Sequence, residues 1–493
     1  MGDRSSDGEI ARRVAFEGLE YHESDRVRPA HYALEGSSAG GWLITRNDEE
    51  HMRLGPGYRL LRTERCGVCS TDLARRFLPF PLPQIIGHEL IALDSDGRRH
   101  VVEINASHRA RGIRHECPFC ELGLANHCPE RRVLGIHDLP GGFGPWVLAP
   151  ERAAIALPDS ITSDVAVLVE PFAAALHAAE SISPEPGDRV AVLGPRRLGL
   201  LVVAALAARR KRDAGQFTIV GLSRHPALCE RALNFGADEA GPPGPNGADP
   251  TLDIVIDTTG SPDGLEKAIA LAGREVHLKS THGQPAAGLA HITELVVDEI
   301  GVQAWPQDAD EIKSLLAQSS SQPGEQPRVA WLASSAPPAE LAGEADWSVG
   351  KQAPALLEAF QNTAQGQLPR ADLAVVENET DLDAVVRPRA DDEIALVRPR
   401  GQVCVLGRDS QRGALLQAVG ARGLRLSTSR CGNFMQALEL LESDAELRER
   451  LPALITHHLP ADRLAQALEL AHSPGCIKVV VHQAAGASAA EVQ

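Results

Sequence analysis

Side chains that suit a metal ion lie in three short segments of the chain. Cys69 lies in the segment CGVCSTD, His88 in GHE, and Glu170 in VEPF, just before an apolar stretch. Thiolate, imidazole and carboxylate groups are ligands that zinc accepts in proteins, and a catalytic zinc keeps one position open for water or substrate. The three segments together therefore indicate a zinc centre with an open position.

Each of these residues also has an ordinary structural interpretation. Cys69 is then a buried thiol, His88 a hydrogen-bonded core histidine, and Glu170 a carboxylate favoured by the dipole at the start of a helix. The presence of all three in this order, with the carboxylate of Glu89 directly beside the histidine, favours the metal site.

A second group of cysteines consists of Cys117, Cys120 and Cys128. Five of the nine cysteines lie between residues 66 and 128. In a reducing compartment such grouping favours metal binding over a disulfide framework. The other four cysteines are expected to be small buried apolar residues.

A turn that suits a phosphate occurs at residues 194–199, with the sequence GPRRLG. It runs from Gly194 to Gly199, follows an apolar strand and opens a helix at about Leu198. Free backbone N–H groups at such a helix start would face the pyrophosphate of a dinucleotide. The middle glycine of the usual G-x-G-x-x-G pattern is Arg196 here, which either crowds the phosphate or pairs with it.

Strands and helices alternate along the chain after residue 183, which predicts a doubly wound parallel sheet of the α/β class. Before residue 158 the segments are short and broken by Gly and Pro, which indicates an irregular, mostly β domain. Residues 303–423 form an extra α/β insertion. Within it, residues 372–407 loosely echo residues 253–283, as a degenerate partial repeat would.

Composition excludes several classes of partner. The net charge of -17 and the aromatic content of 4% argue against binding to nucleic acid or to an anionic membrane. The polar N-terminus lacks the apolar core of a secretion signal, and no apolar run is long enough for a bilayer. We therefore expect a cytoplasmic protein.

The three metal-binding segments, together with PGDRVAVLG at residues 186–194, resemble the zinc-dependent medium-chain dehydrogenases/reductases. The resemblance covers about residues 55–302 and 424–482, and the Glu-Pro pair at 170–171 resembles the polyol, sugar and threonine dehydrogenase branch. It implies a GroES-like catalytic domain and a Rossmann dinucleotide-binding domain.

The resemblance also implies domain boundaries. The catalytic domain is expected at residues 26–182 and 441–485, and the Rossmann domain at 183–302 and 424–440. The insertion at 303–423 separates the two parts of the Rossmann domain, and the ends, 1–25 and 486–493, are expected to be flexible.

By the same resemblance, Cys69, His88 and Glu170 are the ligands of the catalytic zinc, and Glu89 is a nearby or exchangeable ligand. Thr71 is expected to form a hydrogen bond with the substrate oxygen and to pass the proton of the substrate toward solvent. Asp72 would orient a ligand, and Cys66 would be a buried thiol. Many relatives carry a histidine for the proton relay where this chain has Ala74, so the route of the proton to solvent stays open.

The family also has a structural zinc lobe with four cysteines. Cys117, Cys120 and Cys128 fit the last three positions, but the first position falls on Arg114, which cannot bind zinc. Either His115 or His127 supplies the missing ligand, or the lobe is empty and held by packing alone.

The resemblance places the cofactor along the ends of the Rossmann strands. Ser223 stands where NAD-binding relatives have an acidic residue, and Arg224 could pair with a 2′-phosphate, which favours NADP over NAD. Arg224 could equally be a solvated surface residue. Thr258, Thr259 and Gly260 are expected along the nicotinamide ribose, and residues 278–281 near the nicotinamide ring.

The implied activity is reversible hydride transfer between a nicotinamide cofactor and a secondary alcohol, polyol or sugar. The family expectation is a homodimer or homotetramer. A zinc-free reductase of the same fold is disfavoured because it would lack the three ligands. The alternative is a catalytically inactive member that acts as a nucleotide sensor or assembly subunit, since Ala74, Arg114, Arg196 and the insertion depart from the family pattern.

Overall fold

The computed structural model describes residues 12–114, 117–244, 251–280, 283–321, 324–363, 368–389, 395–407 and 413–484. The chain divides into two compact units. Unit 1 runs to Ala173 and resumes at Asn433, and unit 2 is Ala174–Gly432. Of the helices in the described ranges, none combines the length and apolar character needed to cross a bilayer.

Unit 1 begins with an antiparallel four-stranded sheet. Its strands, which neighbour one another in chain order, are Arg12–Tyr21 (β1), Val27–Ser37 (β2), Gly41–Arg46 (β3) and Glu49–Leu54 (β4). The expected flexible segment at residues 1–25 is therefore wrong for residues 12–21.

Long-range contacts explain why β1 is ordered. The carboxylate of Glu20, which is 1% exposed, accepts hydrogen bonds from Tyr32 Oη at 2.6 Å and Arg46 Nη2 at 2.8 Å. A buried carboxylate is stable only when it is paired in this way. The partners come from β2 and β3, so the order of β1 depends on residues beyond the first 25.

The second sheet of unit 1 carries the expected irregular β domain. Its hydrogen-bonded order is β11-β7-β6-β5-β24-β23, with β10 paired to β5, and β8 pairs separately with β9. The strands are Tyr58–Gly67 (β5), Glu89–Leu93 (β6), Arg99–Val102 (β7), Asn105–Ala106 (β8), Arg132–Val133 (β9), Trp146–Pro150 (β10), Ala154–Ala156 (β11), Ile455–Pro460 (β23) and Lys478–His482 (β24).

Most helices of this unit are short. They are Ser70–Leu73 (α1), His108–Arg111 (α2), Pro118–Glu121 (α3), Ser163–Ala166 (α4), Phe434–Ser443 (α14), Ala445–Arg450 (α15) and Leu464–Ala471 (α16). The longer helix Val169–Ser181 (α5) begins in unit 1 and continues into the residues of unit 2.

Unit 2 contains the doubly wound sheet that the alternating pattern predicts. Six parallel strands lie in the order β14-β13-β12-β15-β16-β22. They are Arg189–Leu193 (β12), Thr218–Leu222 (β13), Glu239–Gly241 (β14), Leu252–Asp257 (β15), Ala272–Leu278 (β16) and Arg425–Thr428 (β22). The helices are Arg197–Arg212 (α6), Pro226–Asn234 (α7), Pro262–Leu271 (α8) and Ile292–Val297 (α9).

The same sheet continues through a second parallel set in the order β17-β21-β20-β18-β19. Its strands are Gly301–Ala304 (β17), Arg328–Trp331 (β18), Asp346–Val349 (β19), Ala371–Val376 (β20) and Val397–Val405 (β21). The helices are Ala309–Ser319 (α10), Ala353–Thr363 (α11), Glu379–Val386 (α12) and Ala414–Arg422 (α13). Because β17 pairs antiparallel with β22 at Val302 and Leu426, this set runs opposite to the first.

The strand order β19-β18-β20-β21 repeats the order β13-β12-β15-β16. One difference bears on ligand binding. In the first set a helix of 16 residues, α6, follows β12, whereas residues 332–345 after β18 contain only the short turn Ala339–Leu341. The second set thus has the strands of a dinucleotide-binding half without the helix start that would face a pyrophosphate.

Candidate metal and dinucleotide sites

A thiol, an imidazole and a carboxylate converge in unit 1. One ligand atom from each of Cys69, His88 and Glu89 lies within 4.8 Å of the other two. The register of β5 and β6 explains the convergence. Gly67 stands opposite Glu89 in that antiparallel pair, so Cys69, two residues after the end of β5, meets His88, which directly precedes β6.

Asp72 holds both Cys69 and His88. Its Oδ2 accepts a hydrogen bond from the backbone N–H of Cys69 at 2.8 Å, and its Oδ1 lies 3.4 Å from His88 Nδ1. Burial lowers the pKa of His88, but the negative charges of Asp72 and Cys69 outweigh burial and raise that pKa well above its usual value. The surroundings of His88 therefore favour a positive charge, as the surroundings of a metal ion do.

Glu89 is buried against a cation that the sequence analysis did not identify. Lys478 Nζ on β24 forms an ion pair with Glu89 Oε2 and donates to the carbonyl of Val68 at 3.0 Å. Glu89 and Lys478 are 1% and 2% exposed, respectively. The available signal was a lysine within the otherwise apolar strand CIKVVV, where a charge needs a buried partner.

Glu170 is the second residue of α5 and is half-buried. It is not part of the group of Cys69, His88 and Glu89. Its role as a zinc ligand therefore stays a prediction. Thr71 lies in α1 with its Oγ1 3.6 Å from Cys69 Sγ, so its hydroxyl is beside the metal-binding thiol.

Cys66 is fully buried, and burial raises the pKa of its thiol well above the usual value. It is not one of the grouped metal-binding residues. A thiol that resists ionisation is a poor zinc ligand, which fits the expected structural role of Cys66.

The donor set of the first site fits zinc. Thiolate and imidazole are its preferred ligands, a carboxylate is accepted, and His88 Nδ1 is a buried nitrogen that has no hydrogen-bond partner among the described residues. The residues present can therefore hold the ion that the resemblance implies.

A second group in unit 1 contains four ligands, His108, Cys117, Cys120 and Cys128, within 4.8 Å of one another. His108 Nδ1 lies 3.4 Å from Cys128 Sγ and 4.0 Å from Cys120 Sγ, and the Sγ atoms of Cys117 and Cys128 are 3.9 Å apart. Three thiols and one imidazole form a closed set, as structural zinc sites require.

His108, which the sequence analysis did not name, completes the four-membered group of this lobe. Arg114 is exposed, and His127 is buried but is not one of the four grouped residues. His115 lies outside the described residues. His108 was missed because it stands nine positions before Cys117, far from the family position.

Local structure prepares His108 for this role. Ser107 caps α2 by accepting a hydrogen bond from the backbone N–H of Ala110, which places His108 at the start of the helix. Glu130 Oε2 lies 3.1 Å from His108 Nε2. A carboxylate at that nitrogen favours a proton on Nε2, so the Nδ1 lone pair faces the thiols of Cys120 and Cys128, as in a metal-binding histidine.

The phosphate-binding turn in unit 2 is shaped by two glycines. Gly194 has a φ of 83°, and a Cβ on Gly199 would lie 2.6 Å from both the Gly194 carbonyl oxygen and Thr258 Oγ1. Thr258 Oγ1 donates to the carbonyls of Leu193 and Gly194, each at 2.9 Å. The turn is therefore tied to the end of β15.

Arg196 directly precedes α6, and it is half-buried, as is Leu198 in the first turn of that helix. The start of α6 thus carries a guanidinium where a smaller residue usually stands. This arrangement suits an anion at the helix start.

Ser223 follows β13 and is buried, with its Oγ accepting a hydrogen bond from the backbone N–H of His225 at 3.1 Å. Arg224 is exposed to solvent. The end of β13 therefore offers a hydroxyl and a cation but no carboxylate at the position expected near the adenosine ribose.

At the end of β15, Asp257 Oδ1 accepts hydrogen bonds from Thr259 N at 2.9 Å and Thr259 Oγ1 at 2.7 Å. Burial raises the pKa of Asp257 to about 6. Gly260 follows with a φ of 64°. Of the expected segment 278–281, Thr281 lies outside the described residues.

We predict that His108→Ala lowers the zinc content by about one equivalent per chain, because three remaining ligands do not close a structural site. Zinc is measured by atomic absorption after dialysis of the purified protein. His127→Ala is the matched control and should keep the wild-type content. Equal zinc in wild type and His108→Ala would contradict this assignment.

Comparisons with known proteins agree with this geometry. Residues 55–159 match the alcohol dehydrogenase GroES-like domain. Over 185 residues the chain is 32% identical to an L-threonine 3-dehydrogenase of Deinococcus deserti, a match covering 35% of this chain and 51% of that protein. It is 29% identical to the L-galactonate-5-dehydrogenase of Escherichia coli over 178 residues, which covers 34% of this chain and 50% of that protein.

The chain thus spans about half the length of these two curated relatives. Among solved structures, the L-idonate 5-dehydrogenase of Escherichia coli has a similar fold, with a TM-score of 0.52 and 16% identity. That similarity covers 96% of this chain and 100% of the other. The chain therefore contains an alcohol dehydrogenase GroES-like domain, and its described residues add a Rossmann-type sheet and two Cys/His groups, as the resemblance to the zinc-dependent medium-chain dehydrogenases implies.

Proposed function

We propose that the protein is a zinc- and NAD(P)-dependent dehydrogenase that oxidises a secondary alcohol, polyol or sugar to a carbonyl compound, reversibly. The observation that carries this proposal is the group of Cys69, His88 and Glu89, with Asp72 and Thr71 beside it. A purely structural role would not require these metal-binding side chains to lie together with such partners.

Cys69 and His88 would hold the zinc ion, with Glu170 or Glu89 as the carboxylate ligand. When bound, the ion supplies Lewis acidity toward the substrate oxygen. Asp72 orients both ligands through its two oxygens. The Thr71 hydroxyl would accept the proton of the substrate hydroxyl, and a bound nicotinamide would supply the acceptor for the hydride of the carbinol carbon.

The ion pair of Glu89 with Lys478 bears on which carboxylate binds the zinc. An ion pair with a buried ammonium weakens Glu89 as a ligand, because binding a metal ion would leave Lys478 unpaired. This favours Glu170 as the resident ligand and Glu89 as the exchangeable one.

The substrate class follows from the relatives. Their names place oxidation at carbon 3 of L-threonine and carbon 5 of L-galactonate, and both positions carry secondary hydroxyl groups. We therefore favour a secondary alcohol within a polyol, sugar or sugar acid over a primary alcohol. The second metal group would hold a structural zinc through His108, Cys117, Cys120 and Cys128.

We favour NADP over NAD as the cofactor. A cation stabilises a bound 2′-phosphate, and a nearby carboxylate repels it. The end of β13 has the exposed Arg224, and Ser223 occupies the position at which NAD-binding relatives have an acidic residue. Family proteins often assemble as homodimers or homotetramers, and we propose the same for this chain.

An inactive member that only senses nucleotides is the alternative. Arg196 in the phosphate-binding turn and Ala74 in the relay position favour it. A nucleotide sensor binds NADPH without turnover of any alcohol, so a panel of alcohols, polyols and sugar acids with NAD and NADP in parallel separates the two.

We predict that Cys69→Ser lowers kcat/KM by about a thousandfold or more, because it removes a ligand of the ion whose Lewis acidity is worth several kcal/mol. The assay follows reduced cofactor at 340 nm with the best substrate of the panel. The control variant is Cys404→Ala, which replaces a buried cysteine of β21 in unit 2 and should retain most activity. An active Cys69→Ser enzyme would contradict the zinc mechanism.

We predict that Arg224→Ala reduces the preference for NADP over NAD by about tenfold, because a charge-assisted hydrogen bond is worth about 1.5–3 kcal/mol. The preference is the ratio of the two kcat/KM values. Arg231→Ala on α7 serves as a control for loss of a nearby positive charge. If the ratio is the same in wild type and Arg224→Ala, Arg224 is a solvated surface residue.

A further inference from the structure

A continuous row of buried polar side chains crosses two neighbouring strands of unit 2. Glu275 and His277 lie on β16 and Lys279 follows it, while Ser427 lies on β22 and Ser429 follows that strand. All five residues are at most 7% exposed. The parallel register sets Glu275 opposite Arg425 and His277 opposite Ser427. Each of the five polar side chains therefore lies next to the following one in the row.

The hydrogen bonds run in one direction. Lys279 Nζ donates to Ser429 Oγ at 3.1 Å, and Ser429 Oγ and His277 Nε2 are 2.8 Å apart. His277 Nδ1 lies 2.8 Å from Ser427 Oγ, which donates to Glu275 Oε1. A neutral imidazole with its proton on Nδ1 satisfies every member, so each group donates to the next from the ammonium to the carboxyl group.

His277 is suited to the neutral state. Burial lowers the pKa of His277 well below its usual value, and the charge of Lys279 lowers it further. The surrounding charged and titratable groups are Arg425 on β22, Arg274 on β16, and His177 on α5. His177 lies 3.5 Å from Glu299.

The positive end of the row lies at the ligand-binding edge of the sheet. The backbone N–H of Lys279 donates to the carbonyl of Asp257, and that of Thr258 donates to Leu193, both at 3.0 Å. Lys279 therefore belongs to the same edge as the turn at Gly194. In a sheet of this strand order the adenosine half of a dinucleotide lies over β12 and β13, so the nicotinamide half lies over β15 and β16.

We propose that Lys279 is a cofactor-tuning residue, whose buried cation makes the protein bind the reduced nicotinamide more tightly than the oxidised one. The inference rests on the proposed dinucleotide-binding function. In the reaction the carbinol carbon loses a hydride to the ring and the hydroxyl loses its proton, so the ring changes from a charge of +1 to neutral. A fixed positive charge at that edge favours the neutral ring and hence alcohol oxidation on the protein.

The row explains how the cation is held in place. Ser429 binds Lys279 Nζ through both its hydroxyl and its carbonyl oxygen, each at 3.1 Å. The carboxyl group of Glu275 stands at the opposite end of the row, with His277 between them. The positive charge is thus kept at the ligand edge and the carboxyl group away from it.

The test compares dissociation constants of NADP+ and NADPH, and of NAD+ and NADH, measured by calorimetry. The wild type is expected to bind the reduced forms more tightly. Lys279→Met and Lys279→Gln should reduce the ratio of oxidised to reduced dissociation constants by about tenfold, as for unit charges roughly 12 Å apart at an effective dielectric constant of about 20. Lys279→Arg should keep the ratio.

Lys211→Met, which removes an exposed lysine near the end of α6, is the matched control and should leave the ratio unchanged. If Lys279→Met does not fold, Lys279→Gln, which keeps a donor without the charge, carries the test. If both variants fold and keep the wild-type ratio of oxidised to reduced dissociation constants, the inference is overturned, while dinucleotide binding itself is not. A wild type that binds none of the four nucleotides would overturn the proposed function as well.

Discussion

The antiparallel pairing of β5 with β6 is the constraint on which the first metal site depends. It sets Gly67 opposite Glu89, so that the thiol of Cys69 and the imidazole of His88 meet although 19 positions separate them. Asp72, in the first turn after β5, then touches both ligands. A slip of one residue in this register would send His88 to the other face of the sheet.

Two sets of buried charges near the sites are held by partners from distant segments. Lys478 on β24 neutralises Glu89, and the row from Lys279 to Glu275 satisfies each of its members. An unpaired buried charge costs several kcal/mol, so these partners fix where the carboxylates and cations of the sites point. The metal-binding and nucleotide-binding edges are thus supported by side chains far from them in sequence.

Local signals in the sequence predicted the doubly wound sheet and the glycine-shaped turn at Gly194, because each depends on neighbouring residues or on a periodic pattern. The grouping of Cys69 with His88 was predicted from the order of the motifs and from their resemblance to the zinc-dependent medium-chain dehydrogenases. His108 and Lys478 were not predicted, because their roles arise from contacts across many positions of the chain. The strand β1 was missed for the same reason, since its buried Glu20 is paired by residues of β2 and β3.

The most direct test of the account is anomalous X-ray diffraction at the zinc absorption edge from crystals of the zinc-loaded protein. The account predicts two peaks per chain, one bound by Cys69 Sγ and His88 with a carboxylate, and one enclosed by His108, Cys117, Cys120 and Cys128. A map with no peak between Cys69 and His88, in crystals that hold zinc at the second group, would contradict the central claim.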